Sequence, residues 1–407
     1  MKSRQAIVAI LVVLFGMNSE SSPIADSTKS AAVRSNNEFA LDLLKTLSTS
    51  NSGENVFFSP LSISAAVAMT SLGAGGSTLD EIDNAFHFNE VKKTYSDPMA
   101  LHETFQKTMS LFAEKNSNYS LTIANRLFSQ EGFEILKKFL NETDNYYKAT
   151  IQSVNFGSGQ AEGIINEWVE KQTNNKIKDL FIPGSLSSAV LALVNAIYFK
   201  GNWKNQFDKD ITTDMDFHTS SNEKKTVKMM SLKKTFPYAE DNDLKVQLLE
   251  LPYAGNDLSM VVILPQQGAL SSLTTQLTAE KFENLMKQLD SRKVNVKLPK
   301  FKLETKYSLV KTLQQLGVNS LFSNSADLSG ISDAKLKVSE VIHKAFIETD
   351  EEGTEAAAAT GISFVRISVL IPKELDPDFI ADHPFLFAIV DKRLSNQILF
   401  MGTLIQP

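Results

Sequence analysis

The run EEGTEAAAAT, from Glu351 to Thr360, limits this chain more than any other stretch. It joins acids, one glycine and four consecutive alanines, and a mixed polar and apolar stretch follows it. Alanine offers a core almost no apolar area, but it fits where backbone must pass through a tight space. By itself the run reads equally well as an exposed, alanine-rich helical turn starting near Glu351 or Thr354. The rest of the chain decides between these readings.

The chain has 407 residues and is 43% hydrophobic, enough to bury one large core or two smaller ones. Its net charge is −6, and no part is basic enough to imply a nucleic-acid partner. It contains no cysteine, which excludes disulfides, thiol nucleophiles and thiolate metal sites. Lys2 and Arg4 precede an apolar stretch from Ala6 to Phe15, and Gly16, Ser19, Ser21 and Ser22 follow. This pattern is expected to be a signal peptide over residues 1–22, cleaved between Gly16 and Ala25. The stretch is too short to span a bilayer, and no other segment is apolar enough, so no membrane partner is expected. Asn118-Tyr119-Ser120 and Asn141-Glu142-Thr143 are glycosylation acceptors if the chain enters the secretory pathway. The expectation is a secreted, extracellular protein held together by packing alone.

Residues 23–35 are small and polar and read as a loose arm. Amphipathic or buried helices are expected over 37–47, 61–72, 78–86 and 101–114, with a short strand in NVFFSP at 55–60. Leu121–Phe128 reads as a strand, and Ala161–Leu180 as a helix with Ile164, Ile165, Trp168, Val169 and Ile177 near one face. AVLALVNAIYF at 189–199 is almost continuously apolar and reads as a central strand. Strands dominate from Ile211 onward, at 226–230, 244–251, 260–264, 293–298, 335–350, 385–390 and 397–404. Helices at 277–288 and 308–316 interrupt them. With no Pro/Gly/Ser linker and no repeat, this is one interwoven α+β domain over residues 23–407.

Catalytic patterns are missing. The five histidines, His87, His102, His218, His343 and His383, are not spaced as metal ligands. There is no nucleophile elbow and no phosphate loop, and Gly73, Gly75 and Gly76 lie between two helices. The chain is not expected to be an enzyme.

Several runs together carry a family resemblance. They are NVFFSPLSIS at 55–64, INEWVEKQTNNKIKDL at 165–180, LVNAIYFKGNWKNQF at 193–207 and LPYAG at 251–255. VIHKAFIETDEEGTEAAAAT at 341–360, DHPFLF at 382–387 and ILFMGTLIQP at 398–407 complete them. In this order they closely resemble the serpins, the serine protease inhibitor family, over about residues 30–407. The resemblance implies an α+β fold of three sheets and eight or nine helices with an exposed reactive loop over about residues 351–375. It also implies a suicide substrate. A protease attacks the loop and forms an acyl-enzyme, and the cleaved loop inserts as a new central strand before the ester hydrolyses. The protease is dragged along and its active site is distorted.

Under that reading Glu351, Glu352, Gly353, Thr354, Glu355, Ala356, Ala357, Ala358, Ala359 and Thr360 form a hinge. A strand places alternate side chains on opposite faces. Thr354, Ala356, Ala358, Thr360, Ile362 and Phe364 would face the core, and Glu355, Ala357, Ala359, Gly361 and Ser363 would face out. Gly353 would tolerate the bend. A hinge free of bulky or proline residues favours an inhibitory member over a carrier or chaperone. By motif match Ser59, Ser62, Asn195 and His343 belong to a hydrogen-bonded shutter that insertion must rearrange, and Trp203 packs where the hinge enters.

Specificity is expected in GISFVRISVLIP. The usual family spacing places the scissile bond at Ile367-Ser368, suited to an elastase-like enzyme. Arg366-Ile367 would suit a trypsin-like one. RISVLIP followed by DHPFLF resembles the reactive-site region of the neuroserpin branch, where arginine is scissile, and this favours Arg366; one loop can serve both. No cofactor is required. Lys224, Lys225, Lys228, Lys233 and Lys234, with Arg292, Lys293, Lys297, Lys300, Lys302 and Lys306, raise the expectation of a heparin-like glycosaminoglycan partner. The expected partner is a trypsin-like serine protease and the expected state a monomer.

Overall fold

The apolar run at 189–199 is the middle of the molecule, and the other elements are arranged around it. The structure, a computed structural model, describes residues 23–94, 97, 99–113, 116–220, 223–354 and 375–407. The first half contributes α1 (Pro23–Ser50), β1 (Val56–Phe58), α2 (Pro60–Ser71), α3 (Gly76–Ala85), α4 (Phe88–Thr94) and α5 (Ala100–Ala113). Next come β2 (Tyr119–Gln130), α6 (Lys137–Tyr147), β3 (Ile151–Val154), α7 (Ala161–Gln172) and β4 (Leu191–Asn202). β5 (Thr213–His218), β6 (Lys224–Asp241), β7 (Val246–Pro252) and β8 (Leu258–Pro265) lead to α8 (Leu270–Gln276) and α9 (Ala279–Gln288). β9 (Asp290–Pro299), β10 (Phe301–Ser308), α10 (Val310–Gln315), β11 (Glu340–Thr349) and β12 (Gly353–Thr354) follow. β13 (Asp378–Ile380), β14 (Phe385–Asp391) and β15 (Gln397–Leu404) close the chain.

One sheet runs β10-β11-β4-β2-β3, with β12 added on β4. The other runs β1-β15-β14-β8-β7-β6-β9-β13, with β5 on β6. The fold is α+β, as expected. The third sheet is not separate among the described residues, because the 18-residue β6 pairs in turn with β5, β9 and β7. The described residues hold ten α-helices, against the eight or nine that the resemblance implied. Three of them, α4, α8 and α10, are only six or seven residues long.

Burial explains why β4 shows no polar alternation. Leu191, Leu193, Ile197 and Phe199 enter the main core between the sheets. Ala192, Val194, Ala196 and Tyr198 enter a second core with Ile165, Val169, Ile177 and Leu180. A strand buried on both faces reads as one apolar run.

Two further expectations change. Residues 23–35 are no arm but part of α1; no glycine or proline interrupts 24–50, and Val33 is buried against the main core. α7 ends at Gln172, well short of Leu180. Thr173 Oγ1 bonds back to the Val169 carbonyl at 2.8 Å, and Asn174 and Asn175 take positive φ of 51° and 61°. The apolar residues beyond, Ile177 and Leu180, still pack into the second core, so the face continues after the helix has stopped.

Candidate functional site

β11 and β4 run parallel, in register from Glu340 opposite Ala192 to Phe346 opposite Tyr198. There the pairing stops. β11 continues to Thr349 against β10, and β4 continues to Gly201 against β2. Among the described residues the sheet is therefore open above Phe346 and Tyr198. Into this opening the chain turns back on itself. Asp350 N donates to the Gly353 carbonyl at 2.8 Å, and Asp350 Oδ1 accepts from Glu352 N and Gly353 N at 2.9 and 3.1 Å. Gly353 and Thr354 then pair antiparallel with Asn202 and Gly201 of β4.

Glycine is demanded at 353. Its φ is +146°, and a Cβ there would lie 2.2 Å from Gly201 O and 2.6 Å from Asn202 Cα. The backbone of the turn is held to one short segment. Trp203 N donates to Glu352 O at 2.8 Å, Trp203 Nε1 to Asp350 O at 2.9 Å, and Phe207 N to Glu351 O at 2.9 Å. The buried indole lies flat on Tyr253, with ring centroids 4.6 Å apart. Trp203 thus packs against the turn at 350–353.

The two hinge acids among the described residues, Glu351 and Glu352, are both engaged. Buried Glu351 accepts from Lys300 Nζ at 2.7 Å and from Thr212 Oγ1 at 2.8 Å. Burial alone would push its pKa up; the Lys300 bond, the backbone and Thr212 bonds and the Lys300 charge outweigh it and hold the carboxyl below its ordinary value. Glu352 pairs with Lys209 through one oxygen, and its buried Oε2 has no partner among the described residues. None of Asp350, Lys209 and Thr212 was legible as a site residue. Lys300 was visible only as one charge of a basic run.

A second constellation lies lower in the sheet. His343 and Asn195 are Cα partners across the β11–β4 seam, and Asn125 is the partner of Asn195 on β2. His343 Nε2 accepts from Ser59 N at 3.1 Å, so the neutral ring carries its proton on Nδ1, which donates to Asn195 Oδ1. The Asn195 amide donates to Ser62 O at 3.1 Å and also reaches Ser62 Oγ and Asn125 Oδ1. Ser59 caps α2, its Oγ accepting from Ser62 N at 3.2 Å. Burial holds the His343 pKa down at about 3. The structure therefore brings Ser59, Ser62, Asn195 and His343 together. Asn125 was missed; its only sequence signal is an amide within a strand-like apolar stretch.

The other residues singled out from the sequence fall elsewhere. Glu355 to Thr360, and Arg366, Ile367 and Ser368, lie outside the described residues, as does the expected signal at 1–22. Asn141 is exposed on α6, whereas Asn118 is half-buried beside β4, its carbonyl accepting from Asn202 N at 3.4 Å. Several lysines of the basic runs already have counterions. Lys228 pairs with Asp214 at 2.9 Å, and Lys233 and Lys293 share Asp376 at 3.1 and 3.9 Å.

A family model described as serpin (serine protease inhibitor) matches residues 34–407. The chain is a serpin. It is 45% identical to the leukocyte elastase inhibitor of Sus scrofa and 44% identical to that of Homo sapiens, over 91% of this chain and 98% of each relative. Among solved structures, it is similar to human thyroxine-binding globulin bound to its hormone, with TM-score 0.85, 30% identity, and 93% and 99% of the two chains covered. Serpin48 of the insect Tenebrio molitor, described as highly specific, matches with TM-score 0.81, 32% identity, and 94% and 98% covered. Serpins are non-catalytic protease inhibitors, and this serpin is not an enzyme. The opening above Phe346 and Tyr198 lies at the upper end of the β4–β11 seam, and the His343–Asn195 bond crosses that seam below it.

Proposed function

We propose that this serpin is a secreted suicide substrate of serine proteases with an apolar primary pocket, elastase-like in class, cut at Ile367-Ser368. One observation carries the reading. Gly353 and Thr354 already occupy the first two positions of an antiparallel strand on β4, which supports a start of insertion at Gly353. Counting from that start by the usual family spacing reaches Ile367 as the residue before the cut. The leukocyte elastase inhibitors among its relatives, 41–45% identical, support the same class. Arg366, the one basic residue between Lys344 and Lys373, supports a second reading, a cut at Arg366-Ile367 by a trypsin-like enzyme.

The hydrophobic stretch after Lys2 and Arg4 supports secretion, and exposed Asn141 supports glycosylation on α6. The counterions on Lys228, Lys233 and Lys293 weigh against a free heparin-like site there. The test incubates the protein with pancreatic elastase and with trypsin and looks for an SDS-stable complex. The mass of the released C-terminal peptide identifies the bond. A peptide starting at Ser368 with elastase is expected. A peptide starting at Ile367, made only with trypsin, would replace the first reading with the second. No stable complex with any serine protease would dispose of both.

A further inference from the structure

His87 stands at the corner between α3 and α4 with φ 56°, in the left-handed region that a side chain other than asparagine or aspartate enters at a cost. Its ring offsets that cost. Nε2 lies 2.8 Å from Asp42 Oδ2 and Nδ1 lies 3.2 Å from Glu38 Oε2; both carboxylates are on α1, one turn apart. A neutral imidazole would aim a lone pair at one of them, whereas the imidazolium aims a proton at each. Glu38 and Asp42 form no other ion pair among the described residues, and like charges at this helical spacing repel when no cation lies between them. α4 adds the charge of Glu90, whose own ion pair is with exposed Lys93 at 3.7 Å. α3 meets His87 through the Asn84 carbonyl, which accepts from His87 N at 3.3 Å. Of the α3 carboxylates, Asp83 ion-pairs with Lys92 and Glu81 accepts from the backbone of Asn319 and Ser320.

The same corner is seated on α1 by groups that do not titrate near neutral pH. Ser35 Oγ donates to Phe86 O at 2.9 Å, and Phe39 stacks on Phe86 with ring centroids 4.2 Å apart. The Asp42 bond raises the His87 pKa and burial lowers it; with the Asp42, Glu38 and Glu90 charges added, the value stands above the ordinary 6.5. In an interval above 6.5 the folded chain therefore holds a proton that the unfolded chain has lost. The contact is at full strength below 6.5 and is lost as pH rises through the folded value. We propose that His87 is a pH-sensitive staple: its imidazolium bridges Glu38 and Asp42 and fastens the α3–α4 corner to α1, and rising pH releases the corner so that α4 opens more often. Buried His343 responds in a different window, below 6.5, because burial moves its pKa the other way. None of this depends on which protease the loop meets.

Hydrogen exchange of the full chain tests the staple, read on peptides that cover α4 and corrected for the intrinsic pH dependence of exchange. Opening of α4 is expected to be about two- to fivefold more frequent at about pH 8.5 than at about pH 6, the range set by a partly exposed ion pair. His87→Asn keeps the left-handed backbone at low cost but never carries a charge. It should open equally often at both pH values, as the natural chain does at the higher one. The double variant Glu38→Gln, Asp42→Asn alters half-buried and exposed side chains and leaves the corner itself intact, so it answers the question even if His87→Asn unfolds. It too should lose the pH difference. A nuclear magnetic resonance titration of the histidine rings, with the His87 signal identified as the one that His87→Asn removes, should place its midpoint above 6.5 in the natural chain and lower in the double variant. Equal opening at both pH values in the natural chain, a pH difference that survives in the double variant, or a His87 midpoint at or below 6.5 would overturn the staple.

Discussion

At the residue scale, His343 has the clearest measurable consequence. Its ring is fully buried and neutral, held between Ser59 N and Asn195 Oδ1. The ordinary histidine value is 6.5 and the folded value is about 3, so in this interval the unfolded chain binds a proton that the folded chain does not. Stability therefore falls as pH drops from 6.5 toward 3, by at most about 1.4 kcal/mol per pH unit from this one group. Buried His102, held down to about 4 by burial and by the Lys92 charge, adds a contribution of the same sign. Urea unfolding at pH 7.5 and 5.5 should show the loss, and His343→Gln should flatten it at the cost of lower stability at neutral pH. An unchanged pH slope in that variant would mean that His343 is protonated in the folded chain. A protonated ring could no longer accept from Ser59 N, so acid should also loosen the seam that His343 and Asn195 hold together.

Among the elements, the hinge is where sequence and structure meet most usefully. The identity of Gly353 was legible, but the reason for it was not. A bend was expected, whereas the position requires close approach to the β4 backbone as well as a positive φ, and only the packed sheet reveals that. The same limit applies to α1 and α7. Local composition suggested an arm at 23–35 and a helix to Leu180. Packing extended the first element, and two left-handed asparagines cut the second. Strands were easier to read where both faces are buried, as in β4, because an unbroken apolar run has few other uses. The partners of the hinge acids were the hardest to read. Lys300, Thr212 and Lys209 come from distant segments, and no spacing rule connects them to Glu351 and Glu352. Because pairing on β4 begins at Gly353 and Thr354, the side chain at 354 is the first that insertion must carry into the sheet. Thr354→Arg would bring an uncompensated charge there at the first step, costing several kcal/mol. The expected result is conversion from inhibitor to substrate, with loop cleavage retained and the stoichiometry of inhibition rising well above one. Full trapping by that variant would show that Thr354 is not buried on insertion.

For the whole molecule, the unusual property is a large sheet whose two central strands leave each other before either ends. β4 and β11 are parallel neighbours for seven residue pairs and then separate, each continuing with another partner. Among the described residues, backbone groups facing the gap gain partners only if another strand arrives, and the chain supplies two residues of one in β12. Cleavage within the reactive loop frees the remainder to follow. An added strand with about ten new backbone hydrogen bonds, each worth about 1 kcal/mol net, would stabilise the fold by roughly 10 kcal/mol. For a domain of this size, about 1–2 °C per kcal/mol places the shift in the unfolding midpoint at about 10–20 °C. Scanning calorimetry of intact protein, and of protein nicked in the loop by a protease that it does not trap, measures this directly. Coincident midpoints would mean that the loop stays outside after cleavage. The gap above Phe346 and Tyr198 would then be a static feature of the sheet, and neither the hinge glycine nor the His343–Asn195 bond would have a part in inhibition.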